Sequence, residues 1–136
     1  MKKKLMLPAI AILIALIALS FAACEAGLAT GVGWPPADIL AKYGLSGFSE
    51  PAGANMSEWE IQGNNDLYIA FNGTAATVTA ISTWFSNNSW SSAVFVEDPD
   101  HPGLFILEGS KGRFFVMIGY RIDSGVYKFE IFAWKE

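Results

Sequence analysis

The chain has 136 residues, of which 52% are hydrophobic and 14% aromatic, and its formal net charge is −4. All 13 acidic residues follow residue 24, whereas three of the nine basic residues precede it. Beyond residue 24 the chain is therefore strongly acidic, which argues against nucleic acid as a partner, because nucleic-acid binding needs a basic face. The abundance of aromatic residues argues against disorder.

The first 24 residues combine a basic start, an apolar run and an end of small residues. Lysines occupy residues 2–4, apolar residues follow up to Leu19, and Ala22 and Ala23 precede Cys24. This order is typical of a secretory signal. Two alternatives stay open. One is an uncleaved membrane anchor, since about 20 apolar residues suffice to span a bilayer. The other is a soluble secreted product.

Phe21, Ala22, Ala23 and Cys24 resemble the lipobox of bacterial lipoproteins. The resemblance implies a diacylglyceryl group on the Cys24 sulfur, cleavage before Cys24 and, often, acylation of the new amine by a fatty acid such as palmitate. Cys24 is the only cysteine, so an internal disulfide is excluded. Two or three acyl chains give stable anchoring. We therefore predict an extracytoplasmic location in the bacterial cell envelope, in the outer membrane if the organism has one, with the membrane as a partner through the lipid on Cys24.

The rest of the chain divides into a tether and one domain. Residues 24–33 consist mainly of glycine and small residues without periodicity, which predicts a flexible tether with a mean reach of roughly 15–20 Å. Residues 34–136 are enough for a single domain. The predicted organisation is thus a signal peptide at residues 1–23, a tether at 24–33 and an α+β domain at 34–136.

Two helices and several strands follow in order along the domain. The first helix is predicted at residues 34–44, and a second runs from Thr74 to about Phe85 with Val78, Ile81 and Phe85 on one face. Alternating patterns and turn residues predict strands near Phe48 and at residues 57–62, 67–71, 93–97, 104–108, 113–122 and 126–134.

Successive hairpins predict an antiparallel sheet, so the fold class is α+β with two helices packed on that sheet. The order of helix, strand, Pro-marked turn and further strands occurs twice, which suggests a duplicated α-β-β-β unit. In element order alone, the domain is similar to the two-layer domains of β-lactamase-inhibitor-like proteins and of small outer-membrane assembly lipoproteins.

Chemistry-bearing residues are sparse. His101 is the only histidine and lies in the acid-rich turn at residues 97–101, which matches no EF-hand loop. Glu58 and Glu60 share a strand face at roughly 6.6 Å, a separation found for paired carboxylates in glycoside hydrolysis, but any solvated strand face with two acids gives the same spacing. The sequence therefore predicts no catalytic residue, no metal site and no cofactor.

Aromatic residues are the remaining candidates for a binding surface. The last strand carries apolar residues on both faces, with Lys128, Glu130, Phe132 and Trp134 on the same one. Neither face can therefore be wholly exposed to solvent without leaving an apolar patch. Trp34 and Trp90 lie in contexts that favour partial exposure. We predict a binding surface that includes Trp34, Trp90, Phe132 and Trp134. The alternative is that the tryptophans fill a small core.

These observations favour a membrane-tethered lipoprotein that acts as a non-enzymatic protein-binding or assembly module. One alternative is binding of a small ligand or glycan in a cleft between the helices and the sheet. The other is hydrolysis, carried by Glu58 and Glu60 or by His101.

Overall fold

The structure is a computed structural model and describes residues 29–136. The predicted signal peptide and Cys24 lie outside this range. Within the range the chain forms seven strands and two helices. The strands are β1 (Thr30–Val32), β2 (Asn55–Ile61), β3 (Leu67–Gly73), β4 (Val96–Glu97), β5 (Phe105–Lys111), β6 (Phe114–Asp123) and β7 (Val126–Lys135). The helices are α1 (Ala37–Ala41) and α2 (Ala75–Asn87).

All seven strands join one sheet in the order β1-β2-β3-β7-β6-β5-β4. Each neighbouring pair is antiparallel. Strands β2 and β3 form one hairpin, and β5, β6 and β7 follow one another as a meander. Strand β3 pairs with β7, which joins the two halves of the chain in the middle of the sheet. Helix α2 connects β3, near the centre, to β4, at one edge. The α+β class with an antiparallel sheet and two helices is confirmed for residues 29–136.

The turn between β6 and β7 sets the register of the longest hairpin. Asp123 pairs with Val126, so Ser124 and Gly125 form a two-residue turn. Both residues have positive φ, 52° and 81°. Positive φ at both central residues characterises the type I′ turn, whose twist matches that of the flanking strands. This turn is where the sequence predicted it.

Helix α2 begins after Thr74, in agreement with the sequence. The Thr74 backbone N–H donates to Thr77 Oγ1 at 2.9 Å, and the Thr77 hydroxyl donates to the Ala52 carbonyl at 2.7 Å. Thr77 is fully buried, so this pair of hydrogen bonds ties the loop before β2 to the helix. Ile81 and Phe85 of the predicted apolar stripe are also fully buried.

The main core lies between one face of the sheet and the two helices. Its side chains come from both helices, the loop after α1 and strands β3, β5, β6 and β7, and include Leu40, Phe48, Ile69, Ile81, Phe85, Trp90, Ile118, Phe129 and Ile131. We call this the helix face. The opposite face of the sheet carries a second cluster of Leu104, Ile106, Met117 and Trp134, with Phe115 and Phe132 packed against it. Aliphatic and aromatic side chains thus lie on both faces.

The predicted tether overlaps the sheet. Residues 30–32, predicted as tether, form the edge strand β1 paired with Glu58, Trp59 and Glu60. No side-chain pattern predicts this strand, because backbone pairing needs no side-chain periodicity. A Cβ at Gly31 would lie 2.5 Å from Trp59 Nε1, so glycine lets the indole ring lie against the strand.

Three other elements differ from their predictions. Helix α1 is shorter than predicted, since Pro36 stands in an extended conformation before it and Gly44, with φ of 76°, follows it. No strand forms at Phe48, whose buried ring instead anchors a loop. Strand β4 has two residues where five were predicted. No helix within residues 29–136 is long and apolar enough to cross a membrane.

Candidate functional site

Two of the aromatic residues predicted to bind a partner belong to the helix face. Trp34 is half-buried, its Nε1 donates to the Phe48 carbonyl at 2.8 Å, and its ring meets Phe71 edge-on at 5.3 Å. Trp90 is only 7% exposed and packs edge-on against Phe85 at 5.2 Å. The prediction of partial exposure is wrong for Trp90, because a large ring that follows α2 fills the space between helix and sheet.

The other two lie on the opposite side of the sheet. Trp134 stacks on Phe115 at 5.7 Å and meets Phe132 edge-on at 5.6 Å. Phe132 is partly buried, whereas Trp134 is only 3% exposed. The four residues therefore do not form one exposed patch: the sheet separates them into two pairs, and Trp90 and Trp134 are buried. Cys24, the predicted site of lipidation, lies outside residues 29–136.

The acid-rich turn that contains His101 uses its carboxylates to hold the loop. Asp98 Oδ1 accepts the Asp100 backbone N–H at 3.0 Å, and Asp98 Oδ2 lies 2.8 Å from His101 Nδ1. Glu97 Oε2 accepts the Gly103 backbone N–H at 2.9 Å. The Asp100 hydrogen bond, and then His101, lower the pKa of Asp98. Among residues 29–136 there is no cluster of three or more His, Cys, Asp or Glu side chains that could hold a metal ion.

A group of acidic side chains surrounds Tyr68 on the face of the sheet opposite the helices. Tyr68 on β3 pairs in register with Glu60 on β2, and Ala70 pairs with both Glu58 and Glu130. The Tyr68 hydroxyl donates to Glu130 Oε2 at 2.9 Å. Burial raises the pKa of Glu130 to about 7, and burial followed by the charge of Glu130 raises the pKa of Tyr68.

Glu58 and Glu60, the predicted carboxylate pair, do share this face. Burial and then the neighbouring Glu60 raise the pKa of Glu58. The sequence placed Glu130 on the same face as Phe132 but gave it no role. The signal for Glu130 was its position: it is the one carboxylate inside a strand that is apolar on both faces. Its Oε1 is buried and has no hydrogen-bond partner among the described residues.

A cleft of about 620 Å³ opens between α1 and one end of the sheet. We call it the α1 cleft. Its apolar and aromatic walls are Ile39, Ile61 and Tyr43, and Ala29, at the start of the described chain, also lines it. Lys42, Asn64, Asn65, Asp66 and Lys135 supply polar groups. A cleft between helices and sheet was predicted as the alternative binding site, without these residues.

A shallower groove of about 300 Å³ lies at the opposite edge of the sheet, beside β4. We call it the β4 groove. Val94 and Val96 line it and are 64% and 63% exposed. Ile106 of β5 lies at its base, and Glu97 and Glu108 contribute carboxylates. β4 is the last strand of the sheet, so no described strand pairs with its outer side.

Comparison with known proteins gives no match: no family model matches the chain, and neither a curated protein sequence nor a solved structure is significantly similar to it.

Proposed function

We propose that this protein is a lipid-anchored, extracytoplasmic protein of the bacterial cell envelope that acts as a non-enzymatic binding or assembly module. The support for the anchor is the signal-like order of residues 1–24 and the cysteine that follows the two alanines. The β4 groove is the observation that carries the binding role, because exposed aliphatic side chains beside an open sheet edge mark interaction sites.

The β4 groove suits an extended segment of a partner protein. An added strand would hydrogen bond to the outer side of β4, and its side chains would contact Val94 and Val96. This mode of recognition draws affinity from main-chain hydrogen bonds and specificity from the pockets between side chains.

The anchor is tested by labelling cells with a tagged fatty acid and measuring the intact mass of the product. We expect label in the wild type, none in Cys24→Ala, and a wild-type mass that corresponds to cleavage before Cys24. An unlabelled wild type would rule out the lipoprotein assignment. Its mass would then separate an uncleaved anchor from a secreted protein.

The binding surface is tested by cross-linking at the membrane with two matched double variants. Val94→Ser with Val96→Ser removes the exposed valines of the β4 groove, and Val32→Ser with Val126→Ser removes two exposed valines elsewhere. We expect the first variant to lose its cross-linked partner and the second to retain it, with both folded. Equal retention by the two variants would reject the β4 groove as the docking surface.

A second candidate function is binding of a small ligand in the α1 cleft. Its volume of about 620 Å³ is within the usual range of ligand pockets, roughly 300–1,000 Å³. Calorimetric titration with cell-wall fragments and sugars, which measures the heat of binding, tests this function. A flat response across the whole panel would reject it.

Two further hypotheses have narrower support. Hydrolysis by Glu58 and Glu60 or by His101 is tested by a panel of substrates with the Glu58→Gln, Glu60→Gln, His101→Ala triple variant, and activity that survives in the variant would exclude these residues. A duplicated α-β-β-β unit would pair α1, which β2 and β3 follow, with α2, which β4 to β7 follow, and its first copy would lack the strand predicted near Phe48. It predicts that two halves divided before Thr74 superimpose helix on helix.

A further inference from the structure

The α1 cleft concentrates positive charge in an acidic protein. Residues 29–136 contain six basic and twelve acidic side chains, and two of the six, Lys42 and Lys135, line the cleft. Neither lysine forms an ion pair with a described residue. Asp66, the one carboxylate among the described lining residues, accepts a hydrogen bond from Asn64 Nδ2 at 2.8 Å. The described lining therefore carries two positive charges and one negative charge, in a domain whose acidic residues outnumber its basic ones two to one.

Another part of the cleft wall is an ordered apolar surface. The Tyr43 hydroxyl donates to the Asn65 carbonyl at 2.7 Å, which holds the ring in place. Burial, and then the charge of Asp66, raise the pKa of Tyr43, so the phenol remains a neutral donor. Ile39 and Ile61 complete the wall. An anionic group joined to an apolar or hydroxylated body matches this combination of side chains.

We propose that the α1 cleft binds a phosphate ester, with the phosphate between Lys42 and Lys135 and the body of the ligand against Tyr43 and Ile39. The inference rests on the proposed small-ligand function and names the ligand class for that site. Phosphate is favoured because lysine binds it well as a point charge and because both phosphate monoesters and diesters present at least two anionic oxygens, one for each ammonium group. Two lysines that have no carboxylate partner within residues 29–136 suit such a group.

The position of the cleft admits two sources of phosphate. Ala29 lines the cleft and stands five residues after Cys24. Five extended residues span at most about 17 Å, so a lipid on Cys24 would hold the cleft near the headgroups of the bilayer. Both a phospholipid headgroup and a soluble phosphate ester could then reach the two lysines, and the experiment distinguishes them.

The test is calorimetric titration of the purified protein in detergent-free buffer with two probes. Glycerol 3-phosphate represents soluble esters, and a short-chain phosphatidylglycerol below its micelle concentration represents lipid headgroups. Glycerol and a short-chain phosphatidylcholine serve as probes without a net negative charge. The variants are Lys42→Gln with Lys135→Gln and, as a charge-matched control, Lys111→Gln with Lys128→Gln.

We expect at least one phosphate probe to bind, and the cleft variant to weaken its binding by about tenfold or more. The control variant should change it by less than about twofold. Binding of glycerol 3-phosphate assigns a soluble ester, and binding of phosphatidylglycerol alone assigns a lipid headgroup. Equal losses in the two variants would overturn the proposal, because general charge attraction would then explain the binding.

The proposal and the function on which it rests fail in different ways. If neither phosphate probe binds at about 10 mM but an uncharged sugar binds and is lost in a Tyr43→Ala variant, the phosphate assignment is wrong and the small-ligand function stands. If nothing in the panel binds, both are wrong.

Discussion

The two faces of the sheet differ in what they bury. The helix face buries aliphatic and aromatic side chains, and its buried threonine, Thr77, has two hydrogen bonds. The opposite face buries Glu130 and Tyr68 beside Met117 and Trp134. A buried carboxyl group costs stability unless it is fully hydrogen-bonded. Both faces therefore bury apolar side chains, but only the opposite face also buries a carboxyl group, which works against stability when it is ionised.

The largest effect should come from removing an aromatic ring from the helix face. Phe85→Ala leaves a cavity between α2 and the sheet and should lower the free energy of unfolding by about 3–5 kcal/mol. Phe132→Ala, on the partly buried margin of the opposite face, should cost less than half as much. Urea unfolding measures both changes, provided that the slope of the free energy of unfolding against urea concentration is the same in each variant. Equal losses would contradict the difference between the faces.

The next largest effect is a gain in stability, from replacing the buried carboxyl group of Glu130. Below pH 4.5, the ordinary pKa of glutamate, Glu130 is protonated in both the folded and the unfolded state, so its ionisation does not affect the free energy of unfolding. Above its folded pKa of about 7, Glu130 is ionised in both states, and burying its charge lowers the free energy of unfolding by the full amount. Stability therefore falls as pH rises between these values. Since one pKa unit is about 1.4 kcal/mol, Glu130→Gln should stabilise the full-length chain by up to about 3 kcal/mol at pH 8 and by nothing at pH 4.

Glu108→Gln is the matched control for Glu130→Gln, because Glu108 lies on the same face and is exposed. Its effect on the free energy of unfolding should be small at both pH values. A gain for Glu130→Gln that is identical at pH 4 and pH 8 would show that burial does not raise the pKa of this carboxyl.

A smaller loss should follow from the polar contact inside the helix face. Thr77→Val keeps the shape of the side chain but leaves the Thr74 N–H and the Ala52 carbonyl without their partner, at a cost of about 1–3 kcal/mol. Thr79→Val, on the exposed side of α2, should change stability by less than about 0.5 kcal/mol. Thermal and urea unfolding measure both. Equal effects would mean that the Thr77 hydrogen bonds contribute nothing.

The smallest effect concerns the ion pair at the end of the β6–β7 hairpin. Lys128 Nζ lies 3.4 Å from Asp123 Oδ2, and both side chains are largely exposed. Asp123→Asn should change the free energy of unfolding by less than about 0.5 kcal/mol, and 1 M salt should remove that difference. A larger, salt-resistant change would show that this hairpin end contributes to stability as the helix face does.

Local patterns predicted most of the sheet and little of the candidate sites. The β2–β3 and β6–β7 hairpins follow from alternation and turn residues, and α2 follows from Thr74 and its apolar stripe. These signals lie within a few residues of one another. The pairing of β3 with β7 and the strand at Thr30–Val32 join distant residues through backbone hydrogen bonds, for which side-chain patterns give no signal.

The candidate sites depend on these long-range pairings. Glu130 meets Tyr68 only because β7 lies beside β3. Lys42 and Lys135 line the same cleft although 93 residues separate them in the sequence. The prediction that Trp90 is partly exposed is wrong for a related reason. The polar residues beside it in the sequence do not indicate which distant side chains pack against its ring. The sequence shows the residue types of the candidate sites, but it does not show which of these residues lie close together in the fold.

Strand β1 has a mechanical consequence. It is the outermost strand on its side, three residues long, and antiparallel to β2. A load applied through Ala29 and directed away from the sheet would break its ladder one hydrogen bond at a time, at low force, while the sheet beyond it stayed intact. Releasing residues 29–32 would lengthen the connection to the domain by up to about 14 Å. The strand would thus act as a short reversible extension, which takes up strain before any of the core unfolds.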